Sequence, residues 1–504
     1  MTLDVHELDR LLLVGAGVLL LAILAVRLSV RAGLPSLLVY LAMGVAMGES
    51  GLGIRFDDAE VAHALGFAAL VLILAEGGLT TPWPEIRPVM RLGVSLATIG
   101  VAVSVLTMAL VGHYLLGLTW ELAVLLGAVT APTDAAAVFS VLRRLPLPRR
   151  LTGALEAESG LNDAPTVVLV TLISAASAGG GERHSVLGFA GEIAFELGLG
   201  VLGGAVVGFS GAWLLRRSAL PASGLYPLAV LSFTVLAYAG TATLHGSGFA
   251  AVYVAALVLG NAELPHRAAT RSFSEGVAWL AQIGLFVMLG LLAAPGRITL
   301  ETVTIAVVAL LALTLLARPL SVGVASLVQP VGLREATFLS WAGLRGAVPI
   351  VLTTIPLADA VDGSTQLFDI VFVVVLLDTL VTGPTLPGVA RALRLARRSE
   401  PRDLEVEAAP LERIAADLLQ VTISPQSLMH GVEVGELRLP PGSSVALVVR
   451  DGQTIVPERR TVLRHGDDVL VVTPRALREA TEKRLRAVSV GGRLAQWLGT
   501  RPPA

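Results

Sequence analysis

The chain has 504 residues, of which 54% are hydrophobic and 15% charged, with a net charge of −2 and no cysteine. Soluble domains carry about 25% charged residues, so this surface is too poor in charge to face water, and apolar stretches of about 20 residues mark a polytopic membrane protein. Lys483 is the only lysine and follows no glycine-rich loop, which excludes a Walker A ATPase; the lack of cysteine and of an HExxH pattern excludes disulfides, iron–sulfur clusters and the common zinc sites.

The first apolar run, Leu11–Val26, is preceded by Asp4, Glu7 and Asp9 and followed by Arg27 and Arg31. A signal peptide carries its positive charge before the apolar run, so this is a retained span with its N-terminus outside. Thirteen spans are predicted, at 11–30, 34–48, 61–80, 89–115, 120–142, 151–177, 188–215, 222–243, 247–262, 273–293, 299–327, 336–357 and 367–390. Alternate loops carry Arg27/Arg31, Arg87/Arg91, Arg143/Arg144/Arg149/Arg150, Arg216/Arg217, Arg267/Arg271, Arg318/Arg334 and Arg391/Arg394/Arg397/Arg398. The opposite side has only Arg10, Arg55, Arg183 and Arg297, among acids such as Asp57, Glu60 and Asp362. Arginine accumulates on the cytoplasmic side, which puts everything after residue 391 there.

The character changes near Ser399-Glu400-Pro401, dividing the chain into a membrane domain (1–398), a small cytoplasmic α+β domain (399–488) and a tail (489–504). In the second domain Asp417–Ile423, Ser444–Val449 and Val469–Thr473 read as strands, Asp451-Gly452 as a hairpin turn, and Pro474–Arg486 as an amphipathic helix.

Two spans carry glycine and proline at their centres: Gly127-Ala-Val-Thr-Ala-Pro132-Thr133-Asp134, and Gly343-Leu-Arg345-Gly346-Ala-Val-Pro349. Proline breaks the helical ladder, and inside a membrane such a break is tolerated where the freed groups face protein or a watery cavity. The two breaks are separated by seven spans, an odd number, so the halves of the chain form inverted repeats. Paired interrupted helices in inverted repeats mark the site of a secondary transporter.

Each ionisable residue within a membrane is a functional candidate. Those left after the loops are set aside are Glu76, Asp134, Glu156, Glu158, Asp163, Arg345 and Asp378. In the sixth span, residues 158 and 162, and likewise 159 and 163, are i, i+4, so Glu158, Ser159, Asn162 and Asp163 supply hard oxygen ligands along one stripe. Asp134 adjoins the first break, beside the Thr133 carbonyl. Arg345 needs a carboxylate partner; a structural pair with Glu158 is favoured, since arginine does not release its proton. Asp134 and Asp163 are then left without cationic partners. Two such carboxylates in a low-dielectric site take up a proton or a metal cation but not comfortably both, and that competition is a sufficient basis for cation–proton exchange driven by a gradient.

The segments Thr133-Asp134-Ala-Ala-Ala-Val-Phe-Ser, Glu158-Ser159-Gly160-Leu161-Asn162-Asp163 and Trp341-Ala-Gly-Leu-Arg345-Gly-Ala-Val-Pro resemble the monovalent cation–proton antiporters of the NhaP-like branch, relatives of the sodium–proton exchangers. Gly435-Glu-Leu-Arg-Leu-Pro-Pro-Gly and the run from Leu463 through Val472 resemble an RCK C-terminal (TrkA-C) domain, a combination similar to the potassium–proton antiporters of that branch. The resemblance implies a homodimer in the bacterial inner membrane, built of thirteen-span protomers. Asp163 would carry cation and proton, Glu158, Ser159 and the Thr133 carbonyl would assist coordination, and Asp134 would act close by. Asn162 would hold the site, and Arg345 would pair with Glu158. Asparagine before Asp163 implies electroneutral one-for-one exchange. Asp378 departs from the pattern, either as a polar group near a watery funnel or as a pH-sensing or relay residue, and Glu76 is expected to be peripheral. No cofactor is expected beyond the transported K+ or Na+ and H+. The TrkA-C domain is expected to bind a small cytoplasmic ligand, such as a nucleotide or cyclic dinucleotide, or else to stabilise the dimer. No nucleic-acid partner is expected.

Two other classes fit less well. A ligand-gated cation channel should show a repeated carbonyl filter, and no TVGYG-like segment is present; a membrane protease would need a Ser–His pair or metal histidines. A non-transporting membrane sensor is the remaining alternative.

Overall fold

The computed structural model describes residues 5–32, 36–49, 51–54, 56, 58–142, 147–177, 186–395, 404–411, 416–492 and 495. Arg55, Asp57, Arg143, Arg144, Arg183, Arg397, Arg398, the stretch around Ser399 and the tail beyond residue 495 lie outside them. The chain divides into two compact units, Met1–Ala396 and Arg397–Ala504.

The first unit is all-helical. Its elements are α1 (Val5–Ala32), α2 (Ser36–Met47), α3 (Ala59–Thr80), α4 (Trp83–Tyr114), α5 (Trp120–Thr130), α6 (Ala135–Leu142), α7 (Arg149–Ser177), α8 (Val186–Arg217), α9 (Leu225–Ala242), α10 (Gly248–Asn261), α11 (Arg267–Leu292), α12 (Leu300–Val328), α13 (Leu333–Trp341), α14 (Val348–Ala358) and α15 (Ser364–Ala392). Among the described residues, eight of these helices are long and apolar enough to cross a membrane, and five shorter apolar segments accompany them. Several start where a side chain satisfies an otherwise unpaired backbone N–H: Asp58 accepts from the Val61 N–H at 3.0 Å, Thr119 from Leu122 at 3.3 Å, and Thr299 from Thr302 at 3.2 Å.

A repetition is visible in the backbone. α4 and α12 each contain a widened π turn, at Leu96–Gly100 and Leu313–Ala317. The helices meet where Ser104 Oγ and Ser321 Oγ share a hydrogen bond of 2.6 Å, 217 residues apart in sequence, the same spacing as the two π turns. Wide turns of this kind are frequent at functional sites. The two breaks are also paired. Helix stops at Thr130 and resumes at Ala135; it stops at Trp341 and resumes at Val348. Between them the Asp134 N–H donates to the Leu344 carbonyl at 2.7 Å, so a donor freed by the first break meets an acceptor freed by the second.

α15 runs through the densest part of this unit, with 72% of its apolar window buried, whereas α8 has 17% and turns its apolar side outward. Residues such as Val129, Ile350, Leu352 and Val374 close the core around the breaks.

The second unit carries a five-stranded antiparallel sheet, β1 (Leu404–Leu411), β2 (Ala416–Ile423), β3 (Ser444–Arg450), β4 (Gln453–Ile455) and β5 (Asp468–Pro474), in the order β1-β2-β5-β3-β4. The Asp451-Gly452 turn between β3 and β4 has positive φ at both residues, 49° and 76°, as a tight hairpin of this hand requires. Alternate residues of β2 and β5, among them Leu419, Val421, Val469 and Val471, are buried with Leu485 and Val488 of α16 (Arg478–Gly491). Sequence patterning locates β2, β3, β5 and the helix, and misses β1 and β4.

Candidate functional site

Where the first break passes α7, a cavity of about 260 Å³ opens. Thr133, Asp134, Ser159 and Asp163 all line it, so the structure brings together four of the residues singled out from sequence. Their positions follow from the break. Asp134 sits immediately before α6 and its Oδ1 accepts the Ala137 N–H at 3.0 Å, a helix N-cap. Ser159 Oγ accepts the Ala135 N–H at 3.2 Å, which ties α7 to the same helix start. Gly346 of the second break lies so close to the Asp134 carboxylate that a Cβ there would overlap it. The two breaks thus fix Asp134 by hydrogen bonds on one side and by close approach on the other.

Asp163 is 7% exposed, and its Oδ1 is buried without a hydrogen-bond partner. A desolvated oxygen of this kind is costly unless it binds something. Behind it, Asn162 Nδ2 donates to Thr133 Oγ1 at 3.0 Å, and the Thr166 hydroxyl lies 2.9 and 2.8 Å from the Asn162 and Asp163 carbonyls. Asn162 therefore fastens α7 to the break.

Glu158 differs from expectation. It does not line the cavity, and its partner is Arg318 rather than Arg345. Arg318 is a loop residue by its sequence setting; in the structure it is 3% exposed within α12, just after the π turn, where its guanidinium forks onto both Glu158 oxygens, the Nη2–Oε2 bond being 2.8 Å. With both oxygens engaged by Arg318, Glu158 braces α7 against α12. Arg345, 2% exposed, occupies the second break. Its side chain donates to the Gly343 carbonyl and, at 3.3 Å, to the Thr130 carbonyl that ends α5. A cation at a helix C-terminus is favourably placed.

Asp378 accepts the Arg345 N–H at 3.0 Å and the Thr382 hydroxyl at 2.6 Å, with the Arg345 guanidinium 4.0 Å away. It is fully buried and is not among the residues that line this cavity. It clamps the second break to α15.

Glu76, Glu156 and Tyr253 also line the cavity. Glu156 is an intramembrane candidate by sequence that the family motifs leave out, Glu76 is not the peripheral residue expected, and Tyr253 carries no sequence signal. Glu156 is recoverable from helical spacing, since it is i, i+7 from Asp163.

Residues 17–392 match the model of the sodium/hydrogen exchanger transmembrane family, and residues 418–486 match the TrkA-C domain. A protein of Shewanella oneidensis named K(+)/H(+) antiporter NhaP2 is 34% identical over 496 residues, covering 97% of this chain and 84% of its own. One of Alkalimonas amylolytica named K(+)/H(+) antiporter NhaP is 35% identical over 481 residues, covering 92% and 82%. The structure of the sodium proton antiporter MjNhaP1 from Methanocaldococcus jannaschii is similar in fold, with a TM-score of 0.65 at 22% identity, over 77% of this chain and 99% of that one.

Proposed function

Since this chain belongs to the sodium/hydrogen exchanger family and is a multi-pass cation–proton antiporter bearing a TrkA-C domain, we propose that it exchanges K+ for H+, one for one, at Asp163. The observation that carries this reading is the Asp163 carboxylate, buried, turned to the cavity, with one oxygen lacking any hydrogen bond. A cation bound there takes oxygen ligands from Asp163, Ser159, the Thr133 carbonyl and Asp134; a proton on Asp163 removes the charge that holds it. Each carrier state, cation-loaded or protonated, then has the same net charge, which makes the exchange electroneutral. Asp134 spends one oxygen on the start of α6 and keeps the field around the ion negative.

Alternating access moves this site relative to the membrane surfaces, with the arginine-rich loop ends and the TrkA-C domain in the cytoplasm of a bacterial cell and the N-terminus outside. Thirteen crossings and a homodimer complete the arrangement; the outward apolar side of α8, with Phe195, Leu202, Phe209 and Trp213 exposed, supports a surface that meets lipid or a second copy. Potassium as the cargo is supported by the names of the relatives with near-complete coverage. The TrkA-C domain gates the exchange by binding a small cytoplasmic ligand of the nucleotide class.

The test is exchange in proteoliposomes offered K+, Na+ and Li+ in turn, with membrane potential clamped at several values. K+-driven proton movement that ignores voltage supports the proposal. Rates that scale with voltage rule out one-for-one exchange, and a response to Na+ without K+ rules out potassium as cargo.

A further inference from the structure

Two polar groups in the ion cavity are used by neither the Asp163 ligand set nor the braces behind it. Glu156 lies seven residues before Asp163 on α7, which is about 10 Å along the helix axis on the same face. Its Oε2 is buried and has no hydrogen-bond partner. Tyr253 of α10 is 4% exposed and lines the same cavity, and its hydroxyl oxygen accepts no hydrogen bond, Thr81 being able only to accept from it. Its ring packs onto Gly160, one turn from Glu156, where any Cβ would overlap it. Thr81, on another wall, directs its own hydroxyl to the Gly77 carbonyl at 2.6 Å and has no proton to offer.

The surrounding charges are of one sign. Glu76 on α3, Glu85 at the start of α4, and Asp134 and Asp163 are acidic, while Arg87 and Arg91 of α4 and Arg149 and Arg150 of α7 are exposed. The buried arginines, Arg318 and Arg345, are engaged by Glu158 and by backbone carbonyls. A carboxylate oxygen and a phenolic oxygen, both desolvated and unmatched in a negative field, are complementary to a monovalent metal cation. Water occupies about 30 Å³ per molecule, so a cavity of about 260 Å³ lets the ion keep part of its hydration shell.

We propose that Glu156 and Tyr253 form a second alkali-cation subsite, about two helical turns along α7 from the Asp163 site, where partly hydrated K+ rests between Asp163 and water. The proposal rests on the antiport reading and adds a step to it: the ion is handed from Tyr253 and Glu156 to Asp163 rather than arriving there from bulk solvent. A unit negative charge at about 10 Å in a medium of effective dielectric near 20 changes cation affinity on the order of tenfold.

The experiment is K+ titration of exchange by the full chain in proteoliposomes at one fixed pH. Glu156→Gln is expected to raise the KM for K+ on the order of tenfold, with kcat within about twofold of wild type, and Glu156→Asp to recover part of the loss. Tyr253→Phe, which removes a single oxygen, should raise KM severalfold, and the double variant should exceed Glu156→Gln alone by less than the product of the two effects. A KM unmoved in both Glu156→Gln and Tyr253→Phe, or a lowered kcat at constant KM, overturns the subsite. Wild type and Asp163→Asn run alongside separate the two ideas. Wild type without K+-driven exchange defeats the antiport reading, whereas exchange abolished by Asp163→Asn but insensitive to Glu156→Gln defeats only the subsite.

Discussion

Replacing Arg318 by methionine removes one half of an ion pair whose side chains are 4% and 2% exposed. The guanidinium makes two charge-assisted hydrogen bonds to Glu158, which would be left in the interior with neither partner nor water. Breaking a buried pair from one side costs about 3–5 kcal/mol, whereas exchanging both partners for apolar groups of similar size is often neutral. Arg318→Met and Glu158→Met alone should each lower unfolding free energy by about 3 kcal/mol or more. The double variant should recover most of that, giving a coupling energy of at least about 2 kcal/mol. Unfolding in mixed micelles titrated with a denaturing detergent measures all four corners of the cycle. If Glu158 were a cation ligand, Arg318→Met would instead free its oxygens, leaving stability intact and lowering the KM for the ion. A coupling energy below about 0.5 kcal/mol, with Arg318→Met as stable as wild type, refutes the brace.

The other predictions concern the break, the sheet and the TrkA-C domain. Gly346→Ala drives a methyl group into the Asp134 carboxylate. Because displacement of a site group by about 1 Å can cost a hundredfold, turnover in vesicles should fall on that order, while Gly276→Ala, where a Cβ meets nothing, should leave it unchanged. In the sheet, burial raises the Asp467 carboxyl, but the Arg450 fork at 2.7 Å and the Arg464 N–H at 2.8 Å outweigh it and hold the group below its usual range. A depressed folded value means the stabilisation is complete above the unfolded carboxyl value near 4 and is lost as pH falls through the folded one. Asp467→Asn should therefore speed amide exchange in β3 and β5 on the order of tenfold at pH 7, with the difference from wild type shrinking toward pH 3. A chain ending at Arg398 should still exchange K+ for H+ but lose its response to cytoplasmic nucleotides; retention of that response would remove the regulatory role of the TrkA-C domain.

The breaks are legible in sequence because proline and glycine at the centre of an apolar span interrupt the helical ladder wherever they are placed together, and Asp134, Ser159 and Asp163 follow from helical spacing around them. The ion pairs are not legible. Two buried arginines and two buried carboxylates permit more than one pairing, and only the adjacency of α7 to α12 and of α15 to the second break decides between them. Arg318 is hidden for a further reason: the span predicted at 299–327 contains it, yet the arginine pattern counts it with Arg334 on the cytoplasmic side. Only its ion pair with Glu158, made just after the π turn of α12, shows it buried against α7. Tyr253 belongs to an apolar helix and joins the cavity because Gly160 lets α10 come close to α7, a contact between segments far apart in sequence. In the TrkA-C domain β4 is three residues long, too short for alternation to register.

That one buried carboxylate carries both cation and proton is tested most directly by the fluorescence of a pH probe in everted vesicles that hold a respiration-driven proton gradient, with K+ added at fixed pH. Wild type should collapse the gradient at once, and Asp163→Asn, expressed and inserted to the same level, should leave it standing. Equal collapse by both would contradict a shared carrier at Asp163.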